Sequence, residues 1–184
     1  VALEQRLQDR AQHGGPRTVI VRAGDFFGAG SGSWLDRVLA KNLERGRVTL
    51  PGPLGVPHAW AYLPDLAQAF VRVAEQRARL PAFATLHFQG HTLRLDDWVN
   101  GLQALAGPLR TQAMPWPLLR VLGLLSPTLR SLWGMRYLWQ RPHQLDNTAL
   151  RAVIGAEPHT PWPDALRQAL NDLGHSPRPH PVNA

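Results

Sequence analysis

The glycine-punctuated run Gly28-Ala29-Gly30-Ser31-Gly32-Ser33 is the first stretch of this sequence whose residue types suit chemistry. Glycines let backbone amides come close to a bound anion, and a loop of this kind between a strand and a helix can cradle a phosphate. A dinucleotide fingerprint, however, demands Gly-x-Gly-x-x-Gly/Ala and an acidic residue about 20 positions on, at the end of the next strand. Ser33 stands where the third glycine belongs, and the next extended segment ends at Leu50-Pro51 with no acid beside it. The run therefore reads as a flexible loop near a ligand rather than as a phosphate cradle.

Other reactive constellations are incomplete. His87 and His91 are four apart, but on a strand and turn they do not share a face, and there is no Cys and no acidic residue at ligand spacing, so a metal site is not expected. The Gly-x-Ser-x-Gly elbow of a serine hydrolase is absent. Neither Tyr62 nor Tyr137 is followed four residues later by Lys. No complete catalytic set is present in these 184 residues.

The elements that must position any site follow from periodicity. Thr18 to Val21 is an apolar, β-branched run without polar alternation, the pattern of a strand buried on both faces of a parallel sheet. In open α/β sheets ligands lie beyond the carboxyl ends of the strands, which directs attention to Arg22 to Gly30. A helix over residues 1 to 12, with Leu3 and Leu7 one turn apart, precedes the strand. Trp34 to Gly46 predicts an amphipathic helix capped by Ser33, with Leu35, Val38, Leu39 and Leu43 inward.

Val48 to Leu50 and Ala59 to Leu63 are short extended pieces separated by a Pro/Gly loop. Asp65 suits the start of a helix carrying Leu66, Ala69, Phe70 and Val73 on one face. Ala84 to Gln89 alternates as a strand, and a helix from Asp96 or Asp97 carries Trp98, Leu102 and Leu105. Met114 to Arg141 is Leu- and Trp-rich and predicts two short helices broken at Pro127, with Leu129, Leu132, Trp133 and Tyr137 on an apolar face. A short helix after Asp146 or Asn147 ends at Gly155, and a last one follows Thr160-Pro161. Residues 1–174 thus form one unit, and 175–184 predict a disordered tail.

Composition narrows the class. The net charge is +7, and Lys41 is the sole lysine, so the excess is arginine spread along the chain rather than gathered into a stripe with aromatics. A nucleic-acid partner is therefore not expected, and the charge speaks to solubility or an anionic partner. Trp116 to Trp139 is interrupted by Arg120, Pro127, Arg130 and Arg136, which argues against stable membrane insertion. The absence of Cys favours a reducing, cytoplasmic setting. The opening VALEQRLQDRAQ has no helix cap before it, so the chain is expected to be part of a longer protein.

The order of pieces carries a resemblance. VIVRAGDFFGAG, AWAYLPDLAQAF, ATLHFQGHTLRLDDWVNGL and LDNTALRAVIGAEPHTPWPDALRQAL resemble, in that order, the carboxyl-terminal half of the extended short-chain dehydrogenase/reductases, the NAD-dependent epimerase/dehydratases. The resemblance implies an α/β fold: the carboxyl-terminal part of a Rossmann-like parallel sheet with a mostly helical substrate lobe. It implies NAD or NADP as cofactor and a small-molecule substrate, with a homo-oligomer left open. The family's glycine fingerprint and Tyr-x-x-x-Lys pair would lie upstream, so the chain alone is expected to be inactive.

By position, Arg22, Ala23, Gly24, Asp25 and Phe26 resemble the segment at the nicotinamide end of the cofactor, and Phe27, Ser33, Trp34, His58, Trp60 and Tyr62 resemble positions that face substrate. Members acting on nucleotide-sugars usually carry Arg near the position of His58. Its absence in Pro57-His58-Ala59-Trp60 points to a smaller or more apolar substrate. Two other readings stay open: a non-catalytic NAD(P)-sensing regulator of the same fold, and a binder of an apolar ligand or membrane surface through the Trp116 to Trp139 helices.

Overall fold

The structure, a computed structural model, describes residues 2–175. The expectation of a disordered tail at 175–184 lies outside the described residues apart from His175. Helix α1 (Ala2–Gln12) leads into β1 (Thr18–Arg22), which pairs in parallel with β5 (Phe83–His87). A second sheet has the order β2 (Asp25–Phe27), β4 (His58–Tyr62), β6 (His91–Leu93), with β2 parallel and β6 antiparallel to β4. A third pairs β3 (Arg47–Leu50) in parallel with β7 (Arg110–Ala113). The remaining helices are α2 (Leu63–Glu75), α3 (Leu95–Ala106), α4 (Trp116–Leu122), α5 (Pro127–Gly134), α6 (Thr148–Ile154) and α7 (Trp162–Asp172).

Strand β4 divides the molecule. All five residues are buried because each of its faces meets a different core. Trp60 and Tyr62, on one face, join Phe27, Trp98, Leu102, Trp139 and Leu166 in the core of the helical lobe. Ala61, on the other, joins Leu66, Ala69, Leu86, Phe88 and Leu150 beneath α2, β5 and α6. The alternation of large His58, Trp60 and Tyr62 with small Ala59 and Ala61 is the sequence trace of that division. The small face also lets the backbone at Gly24 come so close that a Cβ there would lie 2.0 Å from the Ala59 carbonyl oxygen.

Several expectations are corrected. Strand β1 is only half-buried rather than enclosed, because among the described residues it pairs with β5 on one side alone. Leu3 is exposed on α1, and Ala11 is the residue that helix buries. Residues 34–46 form no continuous α-helix. A π turn spans Leu35–Leu39, in which the Ala40 amide donates to the Leu35 carbonyl at 2.6 Å, and a 3₁₀ turn follows at Leu43–Arg45. Leu35, Leu39 and Leu43 are nevertheless all buried, so the apolar pattern is satisfied by a different winding.

Ser33 does not cap that segment; its amide and hydroxyl instead donate to the Asp36 carboxylate. Phe70 lies on the exposed side of α2, whereas Leu66, Ala69 and Val73 are buried. Tyr137 is exposed rather than part of an apolar face. Thr160 does not cap α7: its amide and hydroxyl donate to Asp65 at 2.6 and 2.8 Å, tying the start of α2 to the approach to α7. No helix among the described residues is long and apolar enough to cross a membrane.

Candidate functional site

Most of the residues singled out above fall at the carboxyl end of β1 and along the adjacent strands β2 and β4. Arg22 closes β1 at the surface, where its guanidinium pairs with Glu4 at 2.7 Å; a pair so exposed adds little stability. Ala23 and Gly24 make the crossing to β2 and are half-buried. Asp25 then lies opposite Trp60 and Phe27 opposite Tyr62 in the parallel register. Phe26 points the other way and is half exposed, an aromatic ring open to solvent.

Phe27 is fully buried, with Trp60, Tyr62, His91, Trp98 and Trp162 around it at ring separations of 5.2 to 6.5 Å. Phe27, Trp60 and Tyr62 thus form a packed wall, and any influence they have on a ligand is through its shape. Tyr62 has its phenol pKa raised, by burial first and then by Asp172 and Asp65, so it stays protonated at neutral pH.

The lobe side is an aromatic and imidazole cluster. Trp139 stands at its centre, against Trp34 at 4.8 Å, His58 at 5.0 Å and Trp60 at 5.9 Å. His58 Nδ1 lies 3.2 Å from His143 Nδ1, and the His143 amide donates to the Pro57 carbonyl, fixing the partner segment to the start of β4. One imidazole must donate and the other accept, so the pair holds one proton between two nitrogens.

Burial, and secondly the charge of His143, lowers the pKa of His58 to about 4. Its Nε2 has no hydrogen-bond partner among the described residues. Burial also pushes the Asp25 carboxyl above its usual range, while His143 draws it back down. Asp25, His143 and His58 thus form one electrostatic unit. His143 and Trp139 carry no sequence signal of their own, because a lone His after Arg-Pro and one Trp among many have no spacing to distinguish them.

A second imidazole pair lies on the other side of Phe27. His91 stacks on His159 at 4.5 Å, and its pKa is lowered to about 4 by burial and then by His159, against the opposing pull of Asp65. No cluster of metal-ligating side chains exists among the described residues.

The glycine loop has an anion of its own. The Asp36 carboxylate accepts from the Gly32 amide at 2.9 Å, the Ser33 amide at 2.6 Å and the Ser33 hydroxyl at 3.0 Å. Burial alone would raise this carboxyl, but these donors hold it below the ordinary value. An internal carboxylate therefore occupies the amides that a phosphate would need, in keeping with the loop's defective fingerprint.

No family model and no curated protein matches the chain. Solved structures do. RMD from Pseudomonas aeruginosa, complexed with NADPH, is 18% identical with a TM-score of 0.66, over 93% of this chain and 52% of that one. TunA, an NAD-dependent NDP-hexosamine 5,6-dehydratase involved in tunicamycin biosynthesis, gives 18% and 0.66 over 92% and 50%. The chain has the fold of the NAD-dependent epimerases and dehydratases. UDP-glucose 4-epimerase from Thermotoga maritima, solved with UDP-glucose, repeats the match at 14% identity and a TM-score of 0.66, over 93% and 50%. This chain spans about half the length of each of these epimerase and dehydratase chains. Its parallel strands and helical lobe are part of that Rossmann-like fold.

Proposed function

We propose that this chain is the substrate-binding half of an NAD(P)-dependent oxidoreductase, epimerase or dehydratase that acts on a small or apolar molecule. The observation that carries the reading is that Ala23 and Gly24 follow the carboxyl end of β1 and lead to Asp25, which shares His143 with His58, while His58 and Trp34 both pack on Trp139, in a chain that shares its fold with such enzymes over more than nine-tenths of its length.

The residues present fit the nicotinamide end of the cofactor. Ala23 and Gly24 are small and Phe26 offers an open apolar ring, with no cation among Ala23 to Phe26 to pair a phosphate, so this rim suits a flat aromatic carboxamide better than a phosphate. When bound, NAD(P) supplies hydride transfer at the nicotinamide ring. Ala23 to Phe26 would hold the ring edge, and Trp34 with His58 would border the substrate above the wall of Phe27, Trp60 and Tyr62.

Water is kept from that wall by its packing, and the His58–His143 pair presents imidazole nitrogens rather than a guanidinium at its edge. Such an edge orients a hydroxyl or carbonyl and offers no fixed cation to a diphosphate, which favours a small or apolar substrate over a nucleotide-sugar. A glycine fingerprint and a Tyr-x-x-x-Lys pair are not in this sequence, and turnover requires that they be supplied by another part of the whole protein.

The test is a fluorescence titration with NADH and NADPH. A polypeptide joining this segment to a half with an intact glycine fingerprint should bind one of them saturably. Phe26→Ala should weaken that binding by about tenfold, as expected for loss of an open aromatic contact. No binding by the whole polypeptide would overturn the reading. The 184-residue chain alone should show no hydride transfer.

A further inference from the structure

The helical hairpin of α4 and α5 carries a core-like stripe on its outer side. Helix α4 is apolar along two seams. One faces the lobe: Trp116 is buried and its indole N–H donates to the Pro51 carbonyl at 2.8 Å. The other comprises Leu118, Val121 and Leu122 at i, i+3 and i+4, the spacing of a buried face, yet all three are exposed. Leu124 and Leu125, in the turn between the helices, are 76% and 88% exposed. A contiguous apolar patch of this kind marks a surface meant to be covered.

Its charge says what covers it. From residue 98 to residue 145 the sequence has no Asp or Glu but has Arg110, Arg120, Arg130, Arg136 and Arg141. Arg120 and Arg136 lie 5.8 and 5.4 Å from the Trp133 ring, and the Arg130 side chain donates to the Gly123 carbonyl, which locks the two helices together. A second copy of the chain would set these cations against one another with no carboxylate between them. The open edge of β1 belongs to the other core and does not adjoin this hairpin in the packing.

We propose that the α4–α5 hairpin docks on an anionic lipid surface, with the leucines of α4 and the turn entering the boundary between headgroups and acyl chains and the arginines meeting lipid phosphates. It lies in the interface and does not span it.

Vesicle flotation tests this on the 184-residue chain, since aggregates sink and membrane-bound protein floats. At low salt the chain should float with phosphatidylcholine vesicles containing phosphatidylserine, about tenfold less with phosphatidylcholine alone, and less again as salt is raised. Leu124→Ser with Leu125→Ser should cut flotation by about tenfold with an unchanged far-UV circular dichroism spectrum, because neither side chain packs on the fold. Leu125→Glu alone should act in the same direction.

No flotation of the native chain, or equal flotation of native and variant chains, would overturn the proposal. So would a dimer, seen by light scattering, that the leucine variants dissolve. NAD(P)H titration reads neither leucine, so failure of the cofactor proposal leaves this one standing.

Discussion

At Gly24 the packing tolerance is set by backbone. A Cβ added there meets the Ala59 carbonyl oxygen at 2.0 Å and its carbon at 2.3 Å, and neither can move without displacing β4. Gly24→Ala is expected to cost about 3 kcal/mol or more, read as a lower urea midpoint. Ala23→Gly next to it should cost well under half of that. His58 gives a second prediction at this scale. Its pKa is held near 4 by burial first and by His143 second, so His143→Ala should move the His58 titration upward in NMR, without restoring the full 6.5 because burial remains. No movement would show that the two rings do not share a proton.

Elements differ in how openly the sequence declares them. Strands β1, β3 and β4 and helices α2, α3, α6 and α7 are legible because each has an apolar period or a cap, and the break between α4 and α5 is legible at Pro127. Strands β2, β6 and β7 are not, since three or four residues are too few to show a period and their pairing depends on partners far along the chain. The site followed the same rule. Ala23 to Phe26 follow the carboxyl end of β1, where topology directs attention, and His58 is reached by the resemblance, whereas His143 and Trp139 come beside His58 only through the fold.

Two predictions belong to the elements. Asp65 carries both bonds that join α2 to the approach of α7, and it is 4% exposed, so Asp65→Ala should cost about 2–4 kcal/mol by leaving the Thr160 amide and hydroxyl unpaired. Thermal melts that shift by less than a degree would contradict this. In β1 the Thr18 amide donates toward β5, so by alternation Ile20 does also, while the amides of Val19 and Val21 face the open edge. Hydrogen exchange should therefore be faster at Val19 and Val21 than at Ile20, and slowest in β4, which has strands on both sides.

For the molecule as a whole the buried imidazoles set the response to acid. His58 and His91 lie on adjacent strands of one sheet, and both have folded pKa values of about 4 against 6.5 when unfolded. Between these values the unfolded chain binds protons that the folded chain refuses, so stability rises with pH across the window. It is fully present above about pH 6.5 and is lost as pH falls toward 4. With both groups in step, the slope near pH 5 approaches about 2.7 kcal/mol per pH unit, and water reaching either ring would lessen it.

Asp36, whose folded value is lowered, loses its contribution only below the unfolded carboxylate value of 3.8, beneath this window. Asp25, whose value is raised, acts in the opposite sense, its contribution fading as pH rises. The two histidines therefore dominate from pH 4 to 6.5. Reversible urea unfolding across that range should show the midpoint falling steadily with acid, and His58→Asn with His91→Asn should flatten the profile whatever it does to the absolute stability. A profile equally steep in the double variant would assign the acid response to the carboxylates instead.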